Sequence, residues 1–265
     1  MSAIQKEQEY PKVVPFELIV NKNKTKEKEV KYNKDGSIKK VTNNKVAGKD
    51  SEVYAFRTKE EIESMINVFN KHIEEAENNN QRQIACRNKM LFLVGMNVGI
   101  RASDLATLRY SFFLEAENDG YVFKDCYKIM PKKTSNKKKY VKLFFNQTVR
   151  TAINNYIEEY PFNDLEDFLF PSRKGDGAIT PKTIGDIIKK TAEEAGVKQN
   201  ICSHSLRKSF GYHCFHEAED KSRALVMLQN IFRHSSSTTT MAYIGLLDNE
   251  IEDMFHSIDL GGEFI

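Results

Sequence analysis

The sequence predicts a mainly α-helical domain carrying a small antiparallel β-sheet. Apolar residues at helical spacing, bounded by capping residues, mark most of the chain from Thr58 onward. One stretch breaks that pattern: residues 111–145 alternate Tyr, Phe, Val and Ile with polar residues. The first 50 residues hold few large apolar side chains beyond Val13, Val14, Phe16 and Leu18 to Val20, and read as a separate arm.

Taken in order, residues 1–55 form the expected basic arm, with a small hairpin suggested by Asp35-Gly36 between Tyr32 and Ile38. Residues 56–265 form the main domain. Thr58 followed by Glu60 and Glu61 starts a helix whose apolar face is Ile62, Met65, Ile66 and Phe69. A second, more apolar helix covers about 82–97 and ends at Gly99, which places Arg101 at the junction with a short helix capped by Ser103. Residues 111–145 are expected to make three antiparallel strands with a lysine-rich turn at the tip. Helices follow at about 147–160, 181–195, 204–218, 221–233 and 237–246. Thr180-Pro181 is a cap followed by proline at the first helical position, and Ser203 is the expected cap of the 204–218 helix. A tail helix at 248–258 sets Ile251, Met254, Phe255 and Ile258 on one face, with acidic residues largely opposite.

Charge is segregated rather than large. The chain has 40 basic and 37 acidic residues, net +3. Residues 1–50 carry twelve lysines against seven acids, and residues 124–142 carry eight lysines against Asp125 alone. Such clustering favours a basic face for phosphate backbones, the alternative being solvated lysine loops. Cys86, Cys126, Cys202 and Cys214 lack metal or redox spacing and read as reduced intracellular thiols. His213, Cys214 and His216 have no separate ligand pair to complete a metal site. Lys6, Glu7 and Glu9 break any signal peptide, and the run Met90 to Ile100 is too short to span a bilayer, so a soluble, cytoplasmic protein without cofactor is expected.

The chemistry lies in three separated boxes. Gly99-Ile100-Arg101-Ala102-Ser103-Asp104-Leu105 comes first, His204-Ser205-Leu206-Arg207 second, and His234 third, nine residues before Tyr243. His204 and Arg207 share one face of a helix whose N-terminus adds positive potential. Attack on a phosphodiester builds negative charge on the phosphorus oxygens, and a metal-free site neutralises it with fixed donors. An arginine fork matches two such oxygens. Tyrosine can serve as the nucleophile by forming a covalent ester, provided cations or a base activate its phenol. With six histidines and ten arginines in 265 residues, His-x-x-Arg alone arises by chance in roughly one chain in five. The ordered set of five residues is far rarer.

On these boxes the chain resembles the tyrosine recombinase (phage integrase) family over about residues 56–265. Arg101 matches the first motif arginine, His204 and Arg207 the His-x-Leu-Arg box, His234 the second histidine and Tyr243 the nucleophile. The run around Phe210-Gly211-Tyr212-His213 resembles short recombinases of Gram-positive bacteria and their mobile elements. Arg233 stands where many members have glycine, and Asp104 replaces the commoner glutamate. The family's hairpin lysine is matched best by Lys133 in Pro131-Lys132-Lys133-Thr134-Ser135, with Lys132 and Lys137 as competitors.

The resemblance implies a 3′-phosphotyrosine intermediate, strand transfer to a 5′-hydroxyl, and a bacterial or phage-encoded protein associated with the nucleoid. It also implies double-stranded DNA as partner, gripped in part by Lys132, Lys137, Lys138 and Lys139, and assembly on DNA into dimers or tetramers through the tail. Fifty-five residues are few for the family's usual helical DNA-clamping domain. Two rival readings stay open: a topoisomerase-like enzyme that relaxes DNA and rejoins the same strand, and a non-catalytic DNA-binding regulator retaining the fold.

Overall fold

Thr58 begins helix α1 (Lys59–Glu74) with a reciprocal cap: its hydroxyl accepts from Glu61 N–H while the Glu61 carboxylate accepts from Thr58 N–H. The computed structural model describes residues 52–118, 120–131, 140–173, 177–246 and 255–257. The expected arm and its Asp35-Gly36 hairpin lie outside the described residues, apart from 52–55. Met65 and Phe69 are fully buried and Ile62 and Ile66 partly so, which is the face the spacing predicts.

Helix α2 (Asn79–Val98) starts three residues before the expected position, because Asn78 caps it by accepting from Gln81 N–H. It packs against α1, against α4 (Gln147–Glu159) and against α6 (Ser203–Glu217), so it is the central helix of the domain. Its Phe92 ring meets Phe56 and Phe69, forming the aromatic heart of the core. Gly99 ends α2 in the left-handed region, at φ +61°. Helix α3 (Ala102–Leu105) follows, and here the expectation needs correction. Arg101, not Ser103, occupies the cap position, in extended conformation, and its carbonyl accepts from Asp104 and Leu105 N–H. Ser103 sits inside the single turn.

The β region also differs from the expected three-stranded sheet. It consists of two separate antiparallel pairs: β1 (Leu114–Glu117) with β2 (Gly120–Phe123), and β3 (Cys126–Ile129) with β4 (Val141–Phe144). The chain changes ladder at Lys124-Asp125. Lys124 N–H still bonds Phe113 on the first ladder, whereas the Asp125 carbonyl already accepts from Phe145 N–H on the second. Arg150 of α4 pins this junction through the Phe123, Lys124 and Phe145 carbonyls and the Asp125 carboxylate. Alternation in sequence signals strands but not which ladder they join. The lysine-rich segment 132–139, between β3 and β4, lies outside the described residues.

Helix α5 (Pro181–Glu194) carries the expected Thr180 cap, with the hydroxyl accepting from Thr183 N–H. Cys202 rather than Ser203 caps α6: its sulfur accepts from His204 N–H at 3.4 Å, and Ser205 Oγ accepts from Cys202 N–H. Asp220 and Ser236 cap α7 (Lys221–Phe232) and α8 (Ser237–Ile244). Of the expected tail helix only residues 255–257 are described, and they are helical. Before α1, Glu52 to Arg57 is stitched to α6 and its approach: Tyr54 N–H bonds Asn200 O, Phe56 N–H bonds Ser209 Oγ, and His213 Nε2 contacts Phe56 O. No helix among the described residues is long and apolar enough to cross a membrane.

Gly99 has two reasons to be glycine. Its positive φ strains any L side chain, and a Cβ there would overlap the Phe210 ring. Gly99→Ala is therefore expected to lower unfolding free energy by about 2–4 kcal/mol. Urea denaturation checks this, and an unchanged midpoint would contradict the packing described.

Candidate active site

Arg207 is the centre of the site. It lies on α6 and is 5% exposed. Nη1 donates to Gly99 O at 2.5 Å, Nη2 donates to Phe232 O at 3.1 Å, and the guanidinium sits 4.2 Å from the Phe232 ring centroid. These contacts join the C-terminal ends of α2 and α7 to α6. Both carbonyls are ends of helices whose own ladders cannot use them, so the guanidinium satisfies them while they hold it in place. Among the described residues, Nη1 and Nη2 serve these two carbonyls and the guanidinium also faces the Tyr243 phenol, so further N–H groups remain for an anion. Burial pulls the Arg207 pKa down to about 10, with the Tyr243 phenol acting the other way. The group is still charged at neutral pH.

Tyr243, on α8, is brought against this arginine by the turn between α7 and α8. Arg233 adopts the left-handed conformation, φ +56°, at the end of α7, and His234 N–H bonds Gln229 O. The reversal sets the Tyr243 ring edge to face with Phe232, centroids 5.3 Å apart, and with His234, centroids 5.1 Å apart. Among the described residues, Tyr243 Oη is buried and has no hydrogen-bond partner of ordinary geometry. The Arg207 guanidinium is close enough to act on the phenol through its charge. Burial pushes the phenol pKa up, and the Arg207 and Arg101 charges pull it back. A buried hydroxyl left without a partner is costly in a folded protein and is found where function requires it.

His234 bonds Thr240 Oγ1 through Nδ1 at 3.1 Å. Burial, with the charges of Arg207 and Arg101, holds its imidazole below the usual histidine range. Arg101 enters from the segment between α2 and α3. Its charge is felt by Arg207, His234 and Tyr243 together. His204 stands three residues before Arg207 on the same helix, at its N-terminus, with an exposed side chain.

Four of the six expected site residues, Arg101, Arg207, His234 and Tyr243, thus share one neighbourhood, and His204 is one helical turn away. Lys133, with Lys132, Lys137, Lys138 and Lys139, lies outside the described residues. Sequence reasoning missed three contributors. Lys208 is 9% exposed, sits 5.7 Å from the Tyr243 ring centroid and pairs with Glu52 at 3.6 Å, adding a cation beside the phenol. Phe232 supports both Arg207 and Tyr243. Thr240 holds His234. The usable signals were slight: Lys208 adjoins Arg207 in sequence, and Thr240 lies one helical turn before Tyr243.

Two arginines thus act on one buried phenol. The model of the phage integrase family matches residues 56–250, and the chain belongs to that family. Its mainly helical fold with small antiparallel sheets is that of tyrosine recombinase catalytic domains, and family membership places it in the recombinase class. Among its relatives is the probable integrase/recombinase YoeC of Bacillus subtilis (strain 168), 30% identical over 160 residues, which cover 60% of this chain and 78% of that protein. The tyrosine recombinase XerD of Oceanobacillus iheyensis is 26% identical over 180 residues, covering 66% of this chain and 55% of XerD. The chain therefore spans about half the length of that relative. The crystal structure of XerA recombinase shares the fold with TM-score 0.54 and 19% identity, over 78% of this chain and 65% of that one. XerH site-specific recombinase bound to difH in a pre-cleavage complex does so with TM-score 0.51 and 20% identity, over 72% and 50%.

Proposed function

We propose that the protein is a site-specific DNA recombinase that cleaves and rejoins duplex DNA through a 3′-phosphotyrosine on Tyr243. The observation that carries this reading is the buried Tyr243 hydroxyl, on which the charges of Arg207 and Arg101 both act. Tyr243 Oη attacks the scissile phosphorus, the bond to the 5′-oxygen breaks, and a free 5′-hydroxyl departs. Arg101 and Arg207 neutralise the charge that builds on the phosphoryl oxygens, which is where fixed donors contribute most. His234 supplies a further donor to the phosphate, and His204 assists proton transfer. The phosphotyrosine conserves the energy of the broken bond, so attack by a partner strand's 5′-hydroxyl reverses the step without a nucleotide cofactor or a metal.

Lys133 is proposed to protonate the departing 5′-oxygen. Lys133→Ala is expected to cut cleavage on ordinary DNA by about 10²-fold or more and to regain it on a 5′-bridging phosphorothiolate, whose sulfur leaves unprotonated. Rescue of Lys132→Ala instead would move the role by one residue. Lys132, Lys137, Lys138 and Lys139 would grip the DNA backbone through charge. Assembly on DNA is assigned to the 248–258 tail, whose apolar stripe includes Phe255, a side chain 72% exposed in the single chain.

The test uses supercoiled plasmids carrying none, one or two copies of the DNA that flanks the gene. The proposal predicts rearranged products from two-site plasmids only. Relaxation of plasmids without sites would assign a topoisomerase-like activity, and DNA binding without any covalent adduct would assign a regulator.

A further inference from the structure

We propose that Thr240 is a positioning residue that holds the neutral His234 imidazole with its proton on Nδ1, leaving Nε2 as the nitrogen that meets the phosphate. The inference builds on the reading of His234 as part of a phosphate site. It comes from counting protons around one buried hydroxyl.

Thr240 is fully buried, at 0% exposure, so water cannot complete its hydrogen bonds. Its hydroxyl has one proton and two neighbours: Ser236 O at 3.3 Å, one helical turn back, and His234 Nδ1 at 3.1 Å. A carbonyl oxygen only accepts. When the Thr240 proton goes to Ser236 O, Oγ1 is free to accept, and Nδ1–H fills it. The reverse arrangement sends the proton to Nδ1 and leaves Ser236 O with the Thr240 amide alone, itself at 3.3 Å. The first arrangement makes one more hydrogen bond. The partner of one ring nitrogen decides which nitrogen carries the proton. Packing of the ring on Phe232 and Tyr243 keeps it from turning away.

In this tautomer Nε2 carries a lone pair, so neutral His234 cannot donate to a phosphate oxygen. It becomes a donor only after gaining a proton at Nε2, which makes phosphate binding at this residue proton-linked. The charged or titratable groups that bear on the ring are Arg207 from α6, Arg101 from the turn before α3, and Tyr243 from α8. Both arginines oppose protonation in the free protein, and an incoming phosphate anion reverses that balance.

The experiment is long-range nitrogen–proton correlation NMR of His234 in the full chain without DNA, at a pH where the imidazole is neutral. The expected result is a protonated Nδ1 and a bare Nε2, with Thr240→Val giving a tautomer mixture and Thr240→Ser restoring the original. On a suicide DNA substrate, Thr240→Val should cleave roughly five- to tenfold more slowly with unchanged DNA affinity, and Thr240→Ser near normally. A protonated Nε2 in the unmodified protein overturns the proposal, as does a Thr240→Val variant with unaltered tautomer and rate. If Thr240→Val does not fold, the tautomer of the unmodified protein decides alone. A protein that shows the Nδ1 proton yet cleaves no DNA would overturn the strand-transfer reading and leave the tautomer assignment standing.

Discussion

Replacing Tyr243 with phenylalanine is expected to abolish covalent attachment to DNA, leave DNA binding within about twofold, and make the free protein more stable. The three effects share one cause. Only the hydroxyl oxygen is removed, so the proposed nucleophile goes while Arg101 and Arg207 remain. Among the described residues, the oxygen is buried and lacks a hydrogen-bond partner of ordinary geometry. Taking it out relieves a desolvated polar group, which adds about 1 kcal/mol to the folded state. A functional group that costs stability is what a strained active site predicts. Nicked suicide substrates measure the adduct, gel shift measures binding, and urea denaturation measures stability. Adduct formation by the Phe variant would remove Tyr243 from the chemistry. A large loss of stability would mean that the hydroxyl is tied to a structural partner instead.

Arg207→Lys is expected to be the second most damaging change, lowering cleavage by at least about 10²-fold. The guanidinium bridges the ends of α2 and α7 through Gly99 O and Phe232 O and sits over the Phe232 ring, 4.2 Å from its centroid. An ammonium cannot serve both carbonyls and still present a fork to two phosphate oxygens. Some stability must go as well, about 1–3 kcal/mol for a buried carbonyl left unpaired. The two losses separate experimentally. Cleavage per folded molecule, measured well below the unfolding midpoint, isolates the chemical part. Near-normal cleavage by the folded variant would show that Arg207 only braces the core.

Local signals located most helices because caps and apolar faces are near-neighbour effects. Thr58 with Glu61, and Thr180 with Pro181, act within one turn and could be read directly. Errors arose where a distant residue or the local backbone decides. Arg150 bonds carbonyls 27 and 26 residues upstream, at the point where the β region passes from one ladder to the other. Cys202 outcompetes Ser203 as a cap because its backbone, not its chemistry, has the extended conformation a cap requires. The site divides in the same way. Arg101, Arg207, His234 and Tyr243 were legible as residue types in a set order, since phosphate chemistry restricts the types. What holds them was not legible: the Gly99 carbonyl is 108 residues from the arginine it fixes, and no spacing rule reaches that far.

The most direct test of the central claim is to map the covalent bond itself. The protein is trapped on a suicide substrate cut from the flanking DNA, digested, and read by tandem mass spectrometry. The account predicts one modified peptide, with a nucleotide joined through its 3′-phosphate to Tyr243 Oη and a free 5′-hydroxyl on the released strand. A nucleotide on any other residue, or one joined through a 5′-phosphate, would contradict it.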